Sequence, residues 1–280
     1  MLLKTNGDIL IDSIKINFDT EGLWILNIAL AVIMFGVALS IKIDDFKLLI
    51  KKPKILLVGV FSQFFLLPAL TFVAILIIKP HPSFALGMMM IAACPGGNIS
   101  NFFSKMAKGN SALSVSLTAF ATVICLLMTP LNLQFYSGLY EPTNEIIKTV
   151  QLDPIELFKL VLLILGIPIV LGMLLNHYFE EISKKIEVLL KPFSIIVFLA
   201  LIVIAFYDNI DVFLNYIHLV AGLVIFHNIG AYCIGFYTAK TFGLEKRDRK
   251  TISMETGIQN GGLGLLLIFQ FFDGLGGMAL

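Results

Sequence analysis

Apolar residues run in long stretches along this chain, and short polar or charged stretches separate them. Residues 55–78, ILLVGVFSQFFLLPALTFVAILII, carry no charge and exceed the roughly 20 residues that cross a hydrocarbon core. The pattern predicts eight spanning helices and the start of a ninth. The predicted spans are 22–41, 55–78, 83–107, 110–135, 155–177, 187–206, 212–238, 249–272 and a ninth from Leu275 onward.

Composition agrees with a chain that lies in lipid. Of its 280 residues 58% are hydrophobic and 14% are charged, whereas a soluble domain has roughly 25% charged residues. We therefore predict an all-α polytopic membrane protein, with a transmembrane domain over 22–280. Residues 1–21 contain several acids and no compact apolar core of a signal peptide, which indicates an extramembrane leader. The three cysteines have no paired spacing and predict neither a disulfide framework nor a zinc site.

Lysine and arginine are distributed unevenly between the predicted connections. Fifteen of them lie after the first, third, fifth and seventh spans, and five lie in the leader and the other connections. Because cytoplasmic loops carry the excess of basic residues, the odd connections are predicted to be cytoplasmic. The N-terminus is then outside, and the expected location is the plasma (cytoplasmic) membrane.

Two of the predicted spans contain residues that break helices or carry charge. The third holds ACPGGNIS at 93–100, and the eighth holds TISMETGIQNGG at 251–262, which includes Glu255. Non-helical backbone in a bilayer is tolerated only where protein buries it or where it lines a cavity. A carboxylate at that depth is by default a functional-site hypothesis. The alternatives are a simple packed kink at the first break and pairing of Glu255 with Arg249 or Lys250.

The two interrupted spans occupy corresponding positions in two halves of the chain. A shift of 159 residues moves Asn101 onto Asn260, and the third and eighth spans run in opposite directions on the predicted topology. Paired, interrupted helices in inverted halves indicate the midplane binding site of a secondary transporter. Half-helix N-termini suit an anion, and unwound carbonyls with side-chain oxygens suit a small cation.

Several side chains in these spans offer neutral oxygen ligands. Ser114, Thr118 and Thr122 share one helical face, and Gln259 follows Glu255 by four residues. One carboxylate among neutral oxygens fits a monovalent cation better than a divalent one. The structural alternatives are hydroxyl groups that bond back to their own helix and, for Gln63, a hydrogen bond between helices.

The motifs CPGGNISNFFSKMAKGN, ALSVSLTAFAT and KTISMETGIQN resemble the bile acid:sodium symporter family, and the resemblance runs from about Gly22 to the C-terminus. It implies an inverted-repeat transporter with a panel domain, around 22–41 and 155–206, and a core domain, around 55–135 and 212–280. Two crossed, broken helices lie in such a core.

The resemblance also implies two sodium sites and an organic anion as substrate, either a bile acid, a sterol conjugate or a small carboxylate. The first sodium site would use Ser100, Asn101, Ser114, Thr118 and Glu255. The second would use Gln63, Glu255, Thr256, Ile258 and Gln259. The substrate would face the crossing region, formed by Pro95, Gly96, Gly97, Asn98, Asn260 and Gly261.

Other functions are compatible with parts of the pattern. A proton-coupled or uncoupled organic anion carrier and a ligand-binding sensor on the same scaffold are the alternatives. An enzyme is not expected, because no HExxH, GxSxG or intramembrane aspartate pair occurs. The expected partners are the substrate anion and the bilayer, with no nucleic acid. The ninth span stops after about six residues, whereas the repeat predicts an end at about residue 294, so we expect an incomplete chain.

Overall fold

Helices form most of the chain that the computed structural model describes, namely residues 20–39, 41, 52–97, 99–150, 154–208, 210–272 and 274–279. The predicted leader lies almost entirely outside these residues, and so does Asn98. The helices are α1 (Thr20–Ala38), α2 (Pro53–Ile78), α3 (Pro82–Ala93), α4 (Ile99–Met106), α5 (Ser111–Leu139), α6 (Glu141–Val150), α7 (154–178), α8 (Glu180–Asp208), α9 (Ile210–Thr241), α10 (Lys246–Gly257) and α11 (Gly261–Phe272), followed by a short 3₁₀ turn at Gly277–Ala279.

The helices agree with an all-α membrane protein. Within the described residues, α2, α5 and the Val220–Thr241 part of α9 are each long and apolar enough to cross a membrane. Shorter apolar helices include α3 and α11, which are halves of the two spans predicted to be interrupted. The total of nine spans and the panel and core domains stay predictions.

The structure differs from the predicted pattern outside the most apolar stretches. Helix α6, with the sequence EPTNEIIKTV, was not predicted, because its mixture of polar and apolar residues resembles a connection. Its Ile146, Ile147 and Val150 pack against the main hydrophobic core. Helix α8 begins at Glu180, well before predicted residue 187, since its first turns are charged and hydropathy does not detect them. Cys94 and Cys125 are buried, whereas Cys233 is exposed.

Helix α2 changes its winding in the middle of the membrane-length segment. Residues Ser62–Leu66 form a π-helical turn, and Pro68 follows two residues after its end. Proline has no N–H group to donate to the carbonyl four residues earlier, which is that of Phe64. The side chain of Asn132 in α5 donates from Nδ2 to this oxygen at 2.8 Å. A neighbouring helix thus satisfies the polar group that the proline releases.

Helices α1, α7 and α8 pack against one another. Gly172 in α7 allows close contact, because a Cβ atom there would lie 2.6 Å from that of Ala38 in α1. Side chains of α7 and α8 bind the segment that follows α1. Asn176 of α7 donates to the Ile41 carbonyl at 2.9 Å, and Ser183 of α8 donates to the Leu39 carbonyl at 3.1 Å.

The two interrupted spans cross at their breaks. The first break separates α3 from α4, and the second separates α10 from α11. Gly96 and Gln259 form an isolated antiparallel bridge. The Asn260 N–H donates to the Pro95 carbonyl, and the Gly97 N–H donates to the Ile258 carbonyl, both at 2.8 Å. Each break therefore supplies hydrogen-bond partners that the other would lack in lipid.

We expect Gly96→Ala to destabilise the crossing. A Cβ atom at Gly96 would lie 2.8 Å from Nε2 of Gln63 and 2.9 Å from the carbonyl oxygen of Glu255. Overpacking of this kind costs about 1–3 kcal/mol. The measurement is thermal unfolding of the purified protein in detergent. The matched control is Gly261→Ala, because no atom of the described residues lies within 4 Å of a Cβ atom there. Equal melting temperatures for the two variants would contradict the close crossing.

Candidate functional site

The carboxylate of Glu255 lies at the crossing and accepts hydrogen bonds from hydroxyl groups on two other helices. Ser100 of α4 donates to Oε1 at 2.7 Å, and Ser114 of α5 donates to the same oxygen. Thr118 donates to Oε2 at 2.8 Å and is 3.3 Å from Oδ1 of Asn101. Glu255 is only 3% exposed, so these donors offset part of the cost of burying a carboxylate. The structure thus brings together all five residues of the predicted first cation site.

No basic side chain contacts Glu255 among the residues that the structure describes. The two cations considered as its partners are engaged elsewhere. Lys250 donates to the Ala107 carbonyl at 2.7 Å, and Arg249 donates to the Leu244 carbonyl at 2.5 Å. Among the described residues, therefore, no salt bridge compensates this carboxylate. For Thr122 the structural alternative is correct, because its hydroxyl group bonds back to its own helix and donates to the Thr118 carbonyl at 2.7 Å.

The residues of the predicted second cation site surround the end of α10. Gln63 is buried in the π-helical turn of α2 and donates to the Glu255 carbonyl at 3.1 Å. Gln259 donates to the Thr256 carbonyl at 2.6 Å, while its own Oε1 is buried without a hydrogen-bond partner among the described residues. The Ile258 carbonyl accepts from Gly97. Gln63 thus contacts the backbone of α10 at Glu255, and Gln259 lies just beyond the end of this helix.

The residues predicted to face the substrate form the crossing itself. Pro95, Gly96 and Gly97 are buried. The side-chain oxygen of Asn260 accepts from the Leu263 N–H at 3.1 Å and so caps the start of α11. The Nδ2 group of Asn260 has no partner within the described part of the chain. Asn98 lies outside that part, so the predicted contact of its side chain stays a prediction.

The chemistry of these ligands fits a hard monovalent cation. Every candidate ligand atom is an oxygen, from one carboxylate, three hydroxyl groups, amides or backbone carbonyls. A hydroxyl group that donates its proton to Glu255 keeps lone pairs for a cation. The described residues contain no cluster of three or more histidine, cysteine, aspartate or glutamate side chains, as many transition-metal or calcium sites would need.

Sequence reasoning missed a second set of polar contacts, one helical turn away from Glu255. Thr251 contacts Ser104 and Asn110, and Asn110 in turn contacts Asp248. A spacing of four residues relates Thr251 to Glu255, Ser104 to Ser100 and Asn110 to Ser114. That repeated spacing was the available signal, because residues four apart share a helix face.

A pocket lies beside the second break, between α9 and α3. Its wall includes Ile91, His227, Tyr232 and Gln259. His227 shares a hydrogen bond of 2.8 Å with Thr71 of α2, so this histidine forms a polar contact between two helices.

Comparison with known proteins relates the chain to membrane transporters. Residues 27–216 match the model of the family described as the Sodium Bile acid symporter family. That range contains Gln63, the first break and the α5 hydroxyl groups, and it ends before Glu255.

The relatives extend the similarity to most of the chain. A sodium-dependent transporter of Bacillus subtilis is 31% identical over 250 residues, which are 89% of this chain and 75% of the relative. The ileal sodium/bile acid cotransporter of Homo sapiens is 30% identical over 84% of this chain and 66% of its own. A probable chloroplastic sodium/metabolite cotransporter of Arabidopsis thaliana is 28% identical over 88% of this chain and 59% of its own. The chain thus spans less than two thirds of the human and plant relatives.

These similarities confirm the resemblance seen in the motifs. The family is one of transporters and not of enzymes. The names of the relatives describe sodium-dependent transport, which supports sodium as the coupling ion. The chain is an integral membrane protein and belongs to the Sodium Bile acid symporter family.

Proposed function

We propose that this protein is a sodium-coupled carrier of an organic anion. The observation that carries the proposal is the Glu255 carboxylate, which is buried among hydroxyl groups at the crossing and contacts no basic side chain in the described part of the chain. A carboxylate so placed needs a counter-charge, and the surrounding ligands are those that an alkali cation prefers. Relatives named as sodium-dependent cotransporters make sodium the best-supported cation.

The first sodium ion would bind between Glu255 and the oxygens of Ser100, Asn101, Ser114 and Thr118. These residues come from α4, α5 and α10, so the ion would hold three helices together. The second would use Gln63, Glu255 and Gln259, with carbonyls of Thr256 and Ile258. Its support is the side-chain oxygen of Gln259 just beyond α10, which is buried and has no hydrogen-bond partner among the described residues.

The anion would bind beside the cations, where α4 and α11 begin. Both helices start directly after a break, and their N-termini carry free N–H groups and a positive dipole end. The space beside Gly261 and the Nδ2 group of Asn260 would serve the same ligand. In the relatives the cotransported molecules are described as bile acids or metabolites, and an organic anion is the class that we extend to this chain.

Coupling follows from the position of the two kinds of ligand. Sodium would stabilise the unwound segments that also present N–H groups to the anion, so each ligand would raise the affinity for the other by the same factor. Helices α1, α7 and α8 would form a panel, and the remaining long helices would form a core that rocks against it. This alternating access exposes the crossing to each side of the membrane in turn.

We expect Glu255→Gln to abolish the response to sodium. The substitution keeps the size of the side chain and removes its charge, so a cation loses its only anionic ligand in the set. Each sodium ion, at about a hundred times its dissociation constant, should stabilise the wild type by about 2.7 kcal/mol and the variant negligibly. The measurement is thermal unfolding in sodium chloride against choline chloride at equal ionic strength, together with anion uptake into proteoliposomes.

The matched control is Glu145→Gln, because Glu145 is an exposed glutamate on α6. This control should keep the full sodium response. If Glu255→Gln behaved like the control, sodium binding at Glu255 would be refuted. If wild-type uptake followed a proton gradient and persisted fully in choline, the carrier would be proton-coupled instead.

We expect Gln63→Leu to remove the cooperativity between two sodium ions. With two coupled sites, the Hill coefficient of sodium-dependent uptake approaches 2 in the wild type, and it should fall to about 1 when one site is lost. The control is Gln270→Leu, an exposed glutamine of α11. A wild-type coefficient of about 1, unchanged in Gln63→Leu, would indicate that a single ion is coupled to transport.

A further inference from the structure

Two sets of polar contacts link helices α4, α5 and α10, one above the other. The first, the site rung, consists of Ser100, Ser114 and Glu255. The second, the support rung, consists of Ser104, Asn110 and Thr251. Each member of the support rung lies four residues from a member of the site rung on the same segment, which is one helical turn.

The Thr251 hydroxyl group uses its full hydrogen-bonding capacity, which is one bond as donor and two as acceptor. Its oxygen accepts from the Asn110 N–H at 2.8 Å and lies 3.0 Å from the Ser104 hydroxyl. The Thr251 hydroxyl donates to the Asn110 carbonyl at 3.2 Å, so Ser104 is the donor in the remaining contact. Ser104 and Thr251 are fully buried. One hydroxyl group therefore joins the last turn of α4, the start of α5 and α10.

Asn110 determines where α5 begins. Its side-chain oxygen accepts from the Leu113 N–H at 3.2 Å, and its carbonyl accepts from the Ser114 N–H at 3.0 Å. Its Nδ2 group donates to the buried Asp248 at 2.8 Å. Asn110 is thus the N-cap of the helix that carries Ser114 and Thr118, and α10 holds this cap from two positions.

The packing around the support rung leaves little freedom. A Cβ atom at Gly109 would lie 2.7 Å from the Thr251 hydroxyl oxygen and 2.8 Å from that of Ser104. A shift of α5 relative to α10 at this level would therefore break several hydrogen bonds together. The same shift would move Ser114 and Thr118 away from Glu255, because α5 is continuous from its cap to both residues.

We infer that Thr251 is a positioning residue for the cation site: through Asn110 and Ser104 it fixes the distance of the hydroxyl ligands from Glu255 without touching the ion. The inference rests on the proposed function, since it assigns a role toward the sodium that Glu255 would bind. Residues that orient metal ligands change affinity when they are replaced, typically by about 10–100-fold.

Thr251→Val tests the inference, because valine keeps the shape of threonine and lacks the hydroxyl group. The probe is sodium chloride, with choline chloride at equal ionic strength, and the readout is the sodium concentration that gives half of the maximal thermal stabilisation. We expect about a tenfold rise for Thr251→Val and a near wild-type value for Thr251→Ser, which restores the hydroxyl group. Sodium-dependent uptake should show the same rise in half-saturating sodium, with the maximal rate largely kept.

The control for a general loss of stability is Thr143→Val. Thr143 is a fully buried threonine of α6 whose hydroxyl oxygen lies 2.6 Å from the Ser137 carbonyl and 2.9 Å from that of Tyr140. This variant should melt at a lower temperature in choline and keep the wild-type half-saturating sodium. An unchanged sodium affinity in Thr251→Val would overturn the inference.

Two further variants keep the outcome decisive. If Thr251→Val does not fold, Ser104→Ala takes its place and should raise half-saturating sodium by at least about threefold, since it removes one of the contacts. A wild-type value would overturn the inference. Glu255→Gln separates the two proposals. A full sodium response in Glu255→Gln refutes the proposed site itself. If Glu255→Gln loses the sodium response but Thr251→Val keeps the wild-type sodium affinity, only the positioning role is refuted.

Discussion

A carboxylate buried among hydroxyl groups is the interaction on which the rest of this structure depends. Glu255 is 3% exposed, and Ser100, Ser114 and Thr118 donate to it from two helices. Three neutral donors reduce the desolvation cost of the charge but supply no opposite charge. A small cation between these oxygens would supply it. Helices α4, α5 and α10 would then be joined most tightly when the ion is bound, which makes their arrangement sensitive to sodium.

The crossing makes this arrangement compatible with a bilayer. Two unwound segments inside lipid would each leave backbone donors and acceptors without partners. Here the backbone groups of one break pair with those of the other: Asn260 donates to Pro95, and Gly97 donates to Ile258. The same geometry brings the C-terminal ends of α3 and α10 and the N-terminal ends of α4 and α11 to one place. Carbonyl ends suit a cation and N–H ends suit an anion, so both proposed ligands would bind at one crossing.

Much of this architecture follows from local sequence features, and some of it does not. Long apolar runs predict the helices, and the PGGN segment with Glu255 predicts the two breaks, because helix breakers and a charge are conspicuous in apolar surroundings. The family resemblance is confirmed. The ligand sets that it implies stay predictions, although the structure brings Glu255 together with its expected hydroxyl neighbours.

Other features depend on packing that hydropathy does not encode. The bridge between Gly96 and Gln259 joins residues far apart in the chain, and no local pattern specifies its register. Helix α6 was missed because a segment that mixes polar and apolar residues resembles a loop. Thr251 belongs to a charged, weakly apolar turn, so only its four-residue spacing from Glu255 could have indicated its contacts with Ser104 and Asn110.

Equilibrium binding of radioactive sodium to the purified protein tests the central claim most directly, because it requires neither a known substrate nor transport. The wild type should bind sodium saturably, choline should not compete, and Glu255→Gln should lose this binding while remaining folded. Equal sodium binding by the wild type and by folded Glu255→Gln would contradict the claim that the buried carboxylate holds the cation.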